Sequence, residues 1–458
     1  MYQRLKEPFA LRGWKGLPYG ITDTRSGRTA LLDARVFQAV SFCDGKTDLD
    51  SPLVLPSHRE AASQLLQAGF VEECGPGQGL ADYQKYRKTE SRFADSVHWS
   101  ITGACNLNCR HCYLSAPQAK YGELTTEQCL HIIDQISVAN IGKVSLTGGE
   151  PLVRKDFWIL VDALKEKRIA IHQLYTNGLL LTDEVLDQLK ERGIDCTIFL
   201  SFDCCDHHDW MRGMPGAEQA VIETIKRVRR HEFPVGIETS LYNGNLPKLM
   251  QTYELLRSLD ITSWKVSPTV SVGNWELEQG QYDISRSDLY DAYLQLIQRF
   301  QADHAPFTMM LGGFYYCEKG SNRYHIPMIK FDGSEKMLKQ TVCRSCRIHL
   351  YLMADGRLLP CIPMTGTTIE DQMPNLLSST ITEALEDSRY FEFIDMRLGQ
   401  LLQHNSQCAD CEHRLRCGMG CRAHALQCSG SYAGVDPDCC FYYKNGYEER
   451  VKELHFNQ

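Results

Sequence analysis

Three cysteines on one short loop carry the first recognisable chemistry of this 458-residue chain: Cys105-Asn-Leu-Asn-Cys109-Arg-His-Cys112. Thiolates are soft ligands, suited to zinc or to iron–sulfur clusters. Three of them at this spacing can hold three irons of a [4Fe–4S] cube and leave the fourth iron open to a small molecule, whereas an electron-transfer cluster would bring a fourth cysteine. A zinc ion would need His111 as fourth ligand, and His111 stands too close to Cys112 for easy tetrahedral closure. Three polar motifs follow. They are Thr147-Gly148-Gly149-Glu150-Pro151, then Thr176-Asn177-Gly178, then Ser201-Phe202-Asp203 trailed by His208-Asp209 and Arg212-Gly213. Paired glycines let backbone approach a ligand, and the Glu150 carboxylate can bond an ammonium group.

The chain holds 20 cysteines in all. Disulfides seldom persist in a cytosolic protein, and Met1 to Trp14 lacks the apolar core of an export signal, so metal ligation is the expected use. Cys43, Cys74, Cys129 and Cys196 stand apart and read as small buried hydrophobes. A second concentration starts at Cys343 and Cys346, continues through Gly356 to Cys361, and resumes as Cys408-x2-Cys411-x5-Cys417-x3-Cys421, with Cys439 and Cys440 beyond. Zinc ribbons are the alternative reading of such a series.

These loops need a scaffold, and the sequence supplies one. Strand patterns run His98–Thr102, Lys143–Thr147, Ile171–Thr176, Thr197–Ser201, Val235–Ser240 and Ser263–Ser267. Helical patterns separate them at Thr125–Val138, Asp156–Lys167, Thr182–Arg192, Ala217–His231 and Leu246–Ser258, with a last one at Ser287–Gln301. Six strand–helix units in succession predict an α/β fold, a partial (βα)6 TIM-like barrel with its site at the C-terminal strand ends, where every motif above falls. Before it, a strand pair (Tyr19–Asp23, Thr29–Leu32) and two helices (Ala34–Phe42 with Asp33 as N-cap, Ser57–Leu66) form a winged-helix-like α+β unit, with Phe70-Val71 returning as a strand. The expected divisions are residues 1–82, a barrel over 83–302, a bridging region 303–340 and a cysteine-rich domain 341–458, whose core the metal itself should supply. The net charge of −8 gives no reason to expect nucleic acid or an anionic membrane as partner. With no run of about 18 apolar residues, no membrane span is expected either, and the protein reads as cytoplasmic.

The Cys105–Cys112 loop and the three motifs after it resemble the radical S-adenosylmethionine (SAM) superfamily over roughly residues 96 to 300. The resemblance implies that Cys105, Cys109 and Cys112 ligate the cluster, and that Gly148, Gly149, Glu150 and Pro151 receive the SAM amino group. Thr176 and Asn177 match that family's next turn, and Ser201, Asp203 and Arg212 match the segment that holds the ribose and carboxylate. In that family the cluster donates one electron to bound SAM, and the resulting 5′-deoxyadenosyl radical takes a hydrogen from substrate. The C-terminal cysteines resemble the SPASM domain of peptide-modifying members. This implies one auxiliary [4Fe–4S] cluster on Cys343, Cys346, Cys361 and Cys421 and another on Cys408, Cys411, Cys417 and Cys439, three clusters in all. Cys440 could replace Cys439, and without Cys343 the first auxiliary cluster would have an open iron. The N-terminal unit resembles the PqqD-like domain that takes the leader of a precursor peptide as an added strand. Alternatives for the unit are a structural cap and a DNA-binding winged helix, the latter disfavoured by sparse Lys and Arg in its second helix.

Together the resemblances imply a maturase of a ribosomally made peptide, similar to sactipeptide, ranthipeptide or streptide maturases, forming a thioether or carbon–carbon crosslink. A flavodoxin or ferredoxin would supply electrons. Formylglycine formation, as in anaerobic sulfatase maturases, is the first alternative, but Ile362 stands where those enzymes place an Asp. Peptide epimerisation would need a hydrogen donor, for which Cys317 is the candidate. From another class, a non-catalytic metal-cluster protein would show no SAM cleavage. Cys428 reads as a structural thiol.

Overall fold

The computed structural model describes residues 1–456 apart from Pro117, Gln279 and Asp387. Its centre is one eleven-stranded sheet. Seven neighbouring parallel strands are β7 (Ser96–Ser100), β8 (Lys143–Thr147), β9 (Ala170–Thr176), β10 (Thr197–Ser201), β11 (Val235–Leu241), β12 (Ser263–Pro268) and β13 (Thr308–Leu311). Helices α3 (Thr126–Val138), α4 (Phe157–Glu166), α5 (Asp183–Glu191), α7 (Ala217–Arg230), α8 (Leu249–Ser258) and α9 (Arg286–Ala302) make the crossovers, with the short α6 (His208–Arg212) after β10.

Local chemistry accounts for these elements. Thr125, Thr182 and Ser285 each cap a helix by accepting a backbone N–H, and Thr125 completes a capping box with Gln128. Strand faces divide by polarity. Val97, Val144, Leu146, Ile198, Leu200, Ile237 and Trp264 are buried and belong to the main core. The opposite face carries His98, Ser145, Gln173, Tyr175, Phe199, Glu238 and Lys265, aligned by register: His98 faces Ser145, Ser145 faces Gln173, Tyr175 faces Phe199 and Glu238 faces Lys265. Helices cover the apolar face, so this polar row lines the concave side of the barrel.

The sheet extends beyond six strand–helix units. At one edge β14 (Tyr315–Cys317) and β15 (Tyr324–His325) add antiparallel to β13. At the other, β16 (His349–Leu352) pairs in parallel with β7, and β17 (Leu358–Leu359) follows. The region after residue 303 therefore has an apolar core as well as its cysteines. Leu350, Leu352, Met353, Leu376, Ile381 and Tyr390 are buried in the main core cluster, where sequence reading expected metal alone. Strands of two to four residues are too short to show a period.

The N-terminal unit pairs β1 (Gln3–Leu5) with β5 (Val71–Glu73). A second sheet has the order β4 (Thr29–Leu31), β3 (Leu17–Asp23), β2 (Phe9–Trp14) and β6 (Arg87–Lys88), with α1 (Ala34–Phe42) and α2 (Pro56–Gln67) beside it. Asp33 caps α1 through the Val36 N–H at 2.9 Å. The unit is bolted to the barrel. The fully buried Trp14 indole N–H donates to Ala139 O at 3.1 Å, and Asn140 Nδ2 donates to Gly13 O at 3.1 Å. Replacing Trp14 by Ala should cost about 3–5 kcal/mol, read by chemical denaturation, with faster proteolysis between the unit and the barrel.

Candidate active site

Parallel order brings the motif-bearing strand ends side by side. The Cys105–Cys112 loop leaves β7, Gly148-Gly149-Glu150 leaves β8, Thr176-Asn177 closes β9, and Ser201-Phe202-Asp203 closes β10. The glycine turn is pressed onto the cysteine loop. Gly149 N–H donates to Thr102 O at 2.8 Å and Glu150 N–H to Ala104 O at 2.9 Å. A Cβ at Gly149 would lie 2.1 Å from Ala104 O and 3.1 Å from Cys105 Cβ, so only glycine fits.

Glu150 is fully buried. One carboxylate oxygen accepts from Thr176 Oγ1 (2.8 Å) and Leu152 N–H (3.2 Å), the other from Asn177 N–H (2.8 Å). Burial pushes its carboxyl up to about 7 against these three donors, so a cation arriving there favours the ionised form. Pro151 is buried behind it. Asn177 Nδ2 reaches Asn106 Oδ1 at 2.7 Å, inside the cysteine loop.

On the far side the loop leans on a buried ion pair. Arg212 Nε lies 2.7 Å from Asp203 Oδ2, and its Nη1 is 3.7 Å from Cys109 Sγ. Asp203 also accepts from Ser240 N–H at 3.0 Å, and its own N–H donates to His208 Nδ1 at 3.0 Å. Burial would raise the Asp203 carboxyl, but Arg212 and His208 outweigh it and hold the group well below the usual carboxylate range. Both residues are thus committed to each other and to the loop. Ser201 is half-buried at the strand end. His111 lies beside Arg212, Asp203 and His208; burial and the Arg212 charge push its imidazole down to about 4, and its Nδ1 has no hydrogen-bond partner. Asn274, which no sequence pattern flagged, ties the loop from 165 residues away: its N–H donates to Cys112 O and its Nδ2 to Cys109 O, both at 3.0 Å.

The C-terminal thiols gather in two neighbouring groups. Cys343 Sγ lies 3.3 Å from Cys346 Sγ, Cys361 is hydrogen-bonded to Cys346, and Cys421 is close enough to raise Cys346. Cys417 is hydrogen-bonded to Cys439, while Cys408 is influenced by Cys417, Cys440 and Cys411. Lys330, another residue missed in sequence, donates to Val342 O and Gly420 O. Its ammonium acts on both groups: it opposes the upward push of thiol neighbours and burial on Cys343, Cys421 and Cys439, and it adds to the lowering of Cys417 that the Cys439 hydrogen bond begins. Cys317 is not brought to the site. It is fully buried opposite Met309, at the N-terminal end of β13, with Gln301 Nε2 3.8 Å away. Cys428 is exposed, 3.3 Å from His424 Nε2.

Residues 99–256, about a third of the chain, match the family described as the Radical SAM superfamily. The AdoMet-dependent heme synthase of Methanosarcina barkeri is 28% identical over 356 residues, 75% of this chain and 96% of that protein. The sporulation killing factor maturation protein SkfB of Bacillus subtilis is 25% identical over 281 residues, 60% of this chain and 63% of that one. In fold, the chain is similar to Streptococcus suis SuiB bound to S-adenosylmethionine, with a TM-score of 0.64 at 16% identity over 95% of this chain and 99% of that one. SuiB bound to its precursor peptide SuiA gives 0.62. The α/β fold with its parallel-dominated sheet is that of SuiB, and the family that residues 99–256 match implies a [4Fe–4S] cluster and SAM. The residues fit both. The donor set is three thiols on one loop, and beside it stands the fully buried Glu150 carboxylate, oriented by Thr176 and Asn177.

Gly149→Ala should lower 5′-deoxyadenosine formation at least about tenfold, since overpacking costs about 1–3 kcal/mol, while loop-bound iron stays near parent levels in elemental analysis. Asp203→Ala should cost about 3–5 kcal/mol by leaving Arg212 buried without a counter-charge. In the parent this contribution is fully present above the unfolded carboxyl value of about 4 and is lost progressively as pH falls from there toward the much lower folded value; denaturant titration at pH 7 and pH 2 reads the decline.

Proposed function

We propose that this chain is a radical SAM maturase that forms a thioether or carbon–carbon crosslink within a ribosomally made peptide. The observation that carries the reading is likeness to SuiB across 95% of the chain, the N-terminal unit included, together with the binding of SuiA by that relative. The name of SkfB, a maturation protein, points the same way. Residues 1–82 would take the leader along the outer edge of β4, which pairs only with β3 and leaves Leu31 48% exposed. The polar barrel face, with Glu238 and Lys265 paired at 2.7 Å, would receive the core peptide.

When bound, SAM and its cluster supply the one-electron chemistry that removes an unactivated hydrogen. Cys105, Cys109 and Cys112 would hold the cluster. Glu150 would meet the SAM ammonium with its carboxylate already oriented by Thr176 and Asn177. Asp203 and Arg212 act here on the loop: they fix its outer wall and set a positive charge beside the Cys109 sulfur. Two auxiliary clusters would occupy the C-terminal groups, with Lys330 offsetting negative charge on both. For the second group Cys439, hydrogen-bonded to Cys417, would be the fourth ligand, with Cys440, whose charge acts on Cys408, as its alternative. A flavodoxin or ferredoxin would donate electrons.

The identity to the Methanosarcina heme synthase supports a second reading, a tetrapyrrole substrate. Against it, that match leaves about a quarter of this chain outside. Anaerobic reconstitution should yield about twelve irons per chain from three four-iron clusters, and 5′-deoxyadenosine formation should vanish in the Cys105→Ala, Cys109→Ala, Cys112→Ala variant. A precursor peptide encoded beside this chain should lose two daltons by mass spectrometry. Turnover of an iron porphyrin with the peptide unchanged would establish the second reading instead.

A further inference from the structure

Where the N-terminal unit meets the bottom of the barrel, opposite the cysteine loop, lies a cleft of about 240 Å3. Its walls come from both bodies: Arg12 of β2 and Tyr83 on one side, Arg87 of β6 in the connection, and Asn140, Lys167 and Arg168 at the ends of α3 and α4. Its charge is unbalanced. Arg12 donates only to backbone carbonyls, those of Leu11 (2.7 Å), Tyr83 (2.9 Å) and Lys85 (3.3 Å). Arg87 donates to Asn140 Oδ1 (2.8 Å) and Ser137 O (2.9 Å). The Arg168 guanidinium lies over the Tyr83 ring, 3.6 Å from its centroid. Among the described residues, none of the three has a carboxylate partner. Lys167 is matched by Asp134 at 2.6 Å, and the one unpaired acid on the walls is Glu166.

Three unmatched guanidiniums against one carboxylate leave a double positive charge around a concave space. Like charges held together without a counter-ion are costly. The strain is visible at Arg12, which burial and the neighbouring Arg87 push down to about 10. Guanidinium forks suit tetrahedral oxyanions, and two or three converging on one site are the usual means of holding a phosphoryl group. Volume narrows the ligand further. At about 30 Å3 per water, the cleft has room for about eight waters, more than a bare phosphate fills.

We propose that this cleft binds the dianionic phosphoryl group of a small phosphate monoester, which clamps the N-terminal unit to the barrel. The site is remote from the cysteine loop, so its occupancy can be tested without reference to the reaction. The full-length, cluster-loaded protein would be titrated calorimetrically at fixed ionic strength with glycerol 3-phosphate and, separately, with inorganic phosphate. One glycerol phosphate per chain, bound more tightly than phosphate, is expected. Arg87→Gln should weaken it at least tenfold. Arg168→Glu should do the same, and because that side chain stands exposed over the Tyr83 ring, it guards against loss of binding through misfolding of the seam. SAM cleavage by both variants should match the parent. Equal or tighter binding of inorganic phosphate would overturn the monoester in favour of free phosphate. No saturable binding of either probe, or unchanged binding by both variants, would overturn the site.

Discussion

The Asp203–Arg212 pair is the constraint on which the cysteine loop depends. Both groups are withdrawn from water, and a lone buried charge would cost several kcal/mol. The pair therefore forces the end of β10 and helix α6 together. With α6 in place, Met211 O accepts the Arg110 N–H at 2.9 Å and Arg212 reaches Cys109. The glycine turn presses from β8 and Asn274 holds from the loop after β12. Three thiols that sequence places on one flexible loop thus acquire fixed directions from three walls.

Much of this was readable because it is local. Thr125, Thr182 and Asp33 announce helix starts through the N–H groups they cap, and β8 and β10 run between the residues that periodicity indicates. The cysteine loop and the three polar motifs stand at adjacent strand ends because consecutive parallel strands are neighbours. What escaped is non-local. β1 finds its partner β5 some 68 residues later, Asn274 reaches back 165 residues, and Lys330 acts on cysteines from three chain segments. No spacing rule encodes such meetings. Ser201, Asp203 and Arg212 show a subtler limit: the motif located them, but only coordinates reveal that Asp203 and Arg212 spend their charges on each other.

The C-terminal region combines two kinds of cohesion. Its strands and short helices share the main apolar core, with Leu350, Leu352 and Tyr390 fully buried. Around Cys408 a smaller apolar cluster of Phe331, Val342, Leu398, Leu401 and Met419 stands apart. Cys346, Cys361, Cys417 and Cys439 pack against the main core and Cys408 against the smaller one, so both thiol groups are seated on apolar side chains.

The parallel pairing of β16 with β7 has a consequence for biosynthesis. Ser96 and its partner His349 are 253 residues apart. At about 5–20 residues per second, the first barrel strand leaves the ribosome roughly ten to fifty seconds before the strand that covers its edge. Throughout that interval β7 presents a row of unpaired peptide groups flanked by Val97 and Trp99, the kind of edge to which a second nascent chain could add. The order of synthesis leaves the free edge of the first barrel strand open until β16 has been made.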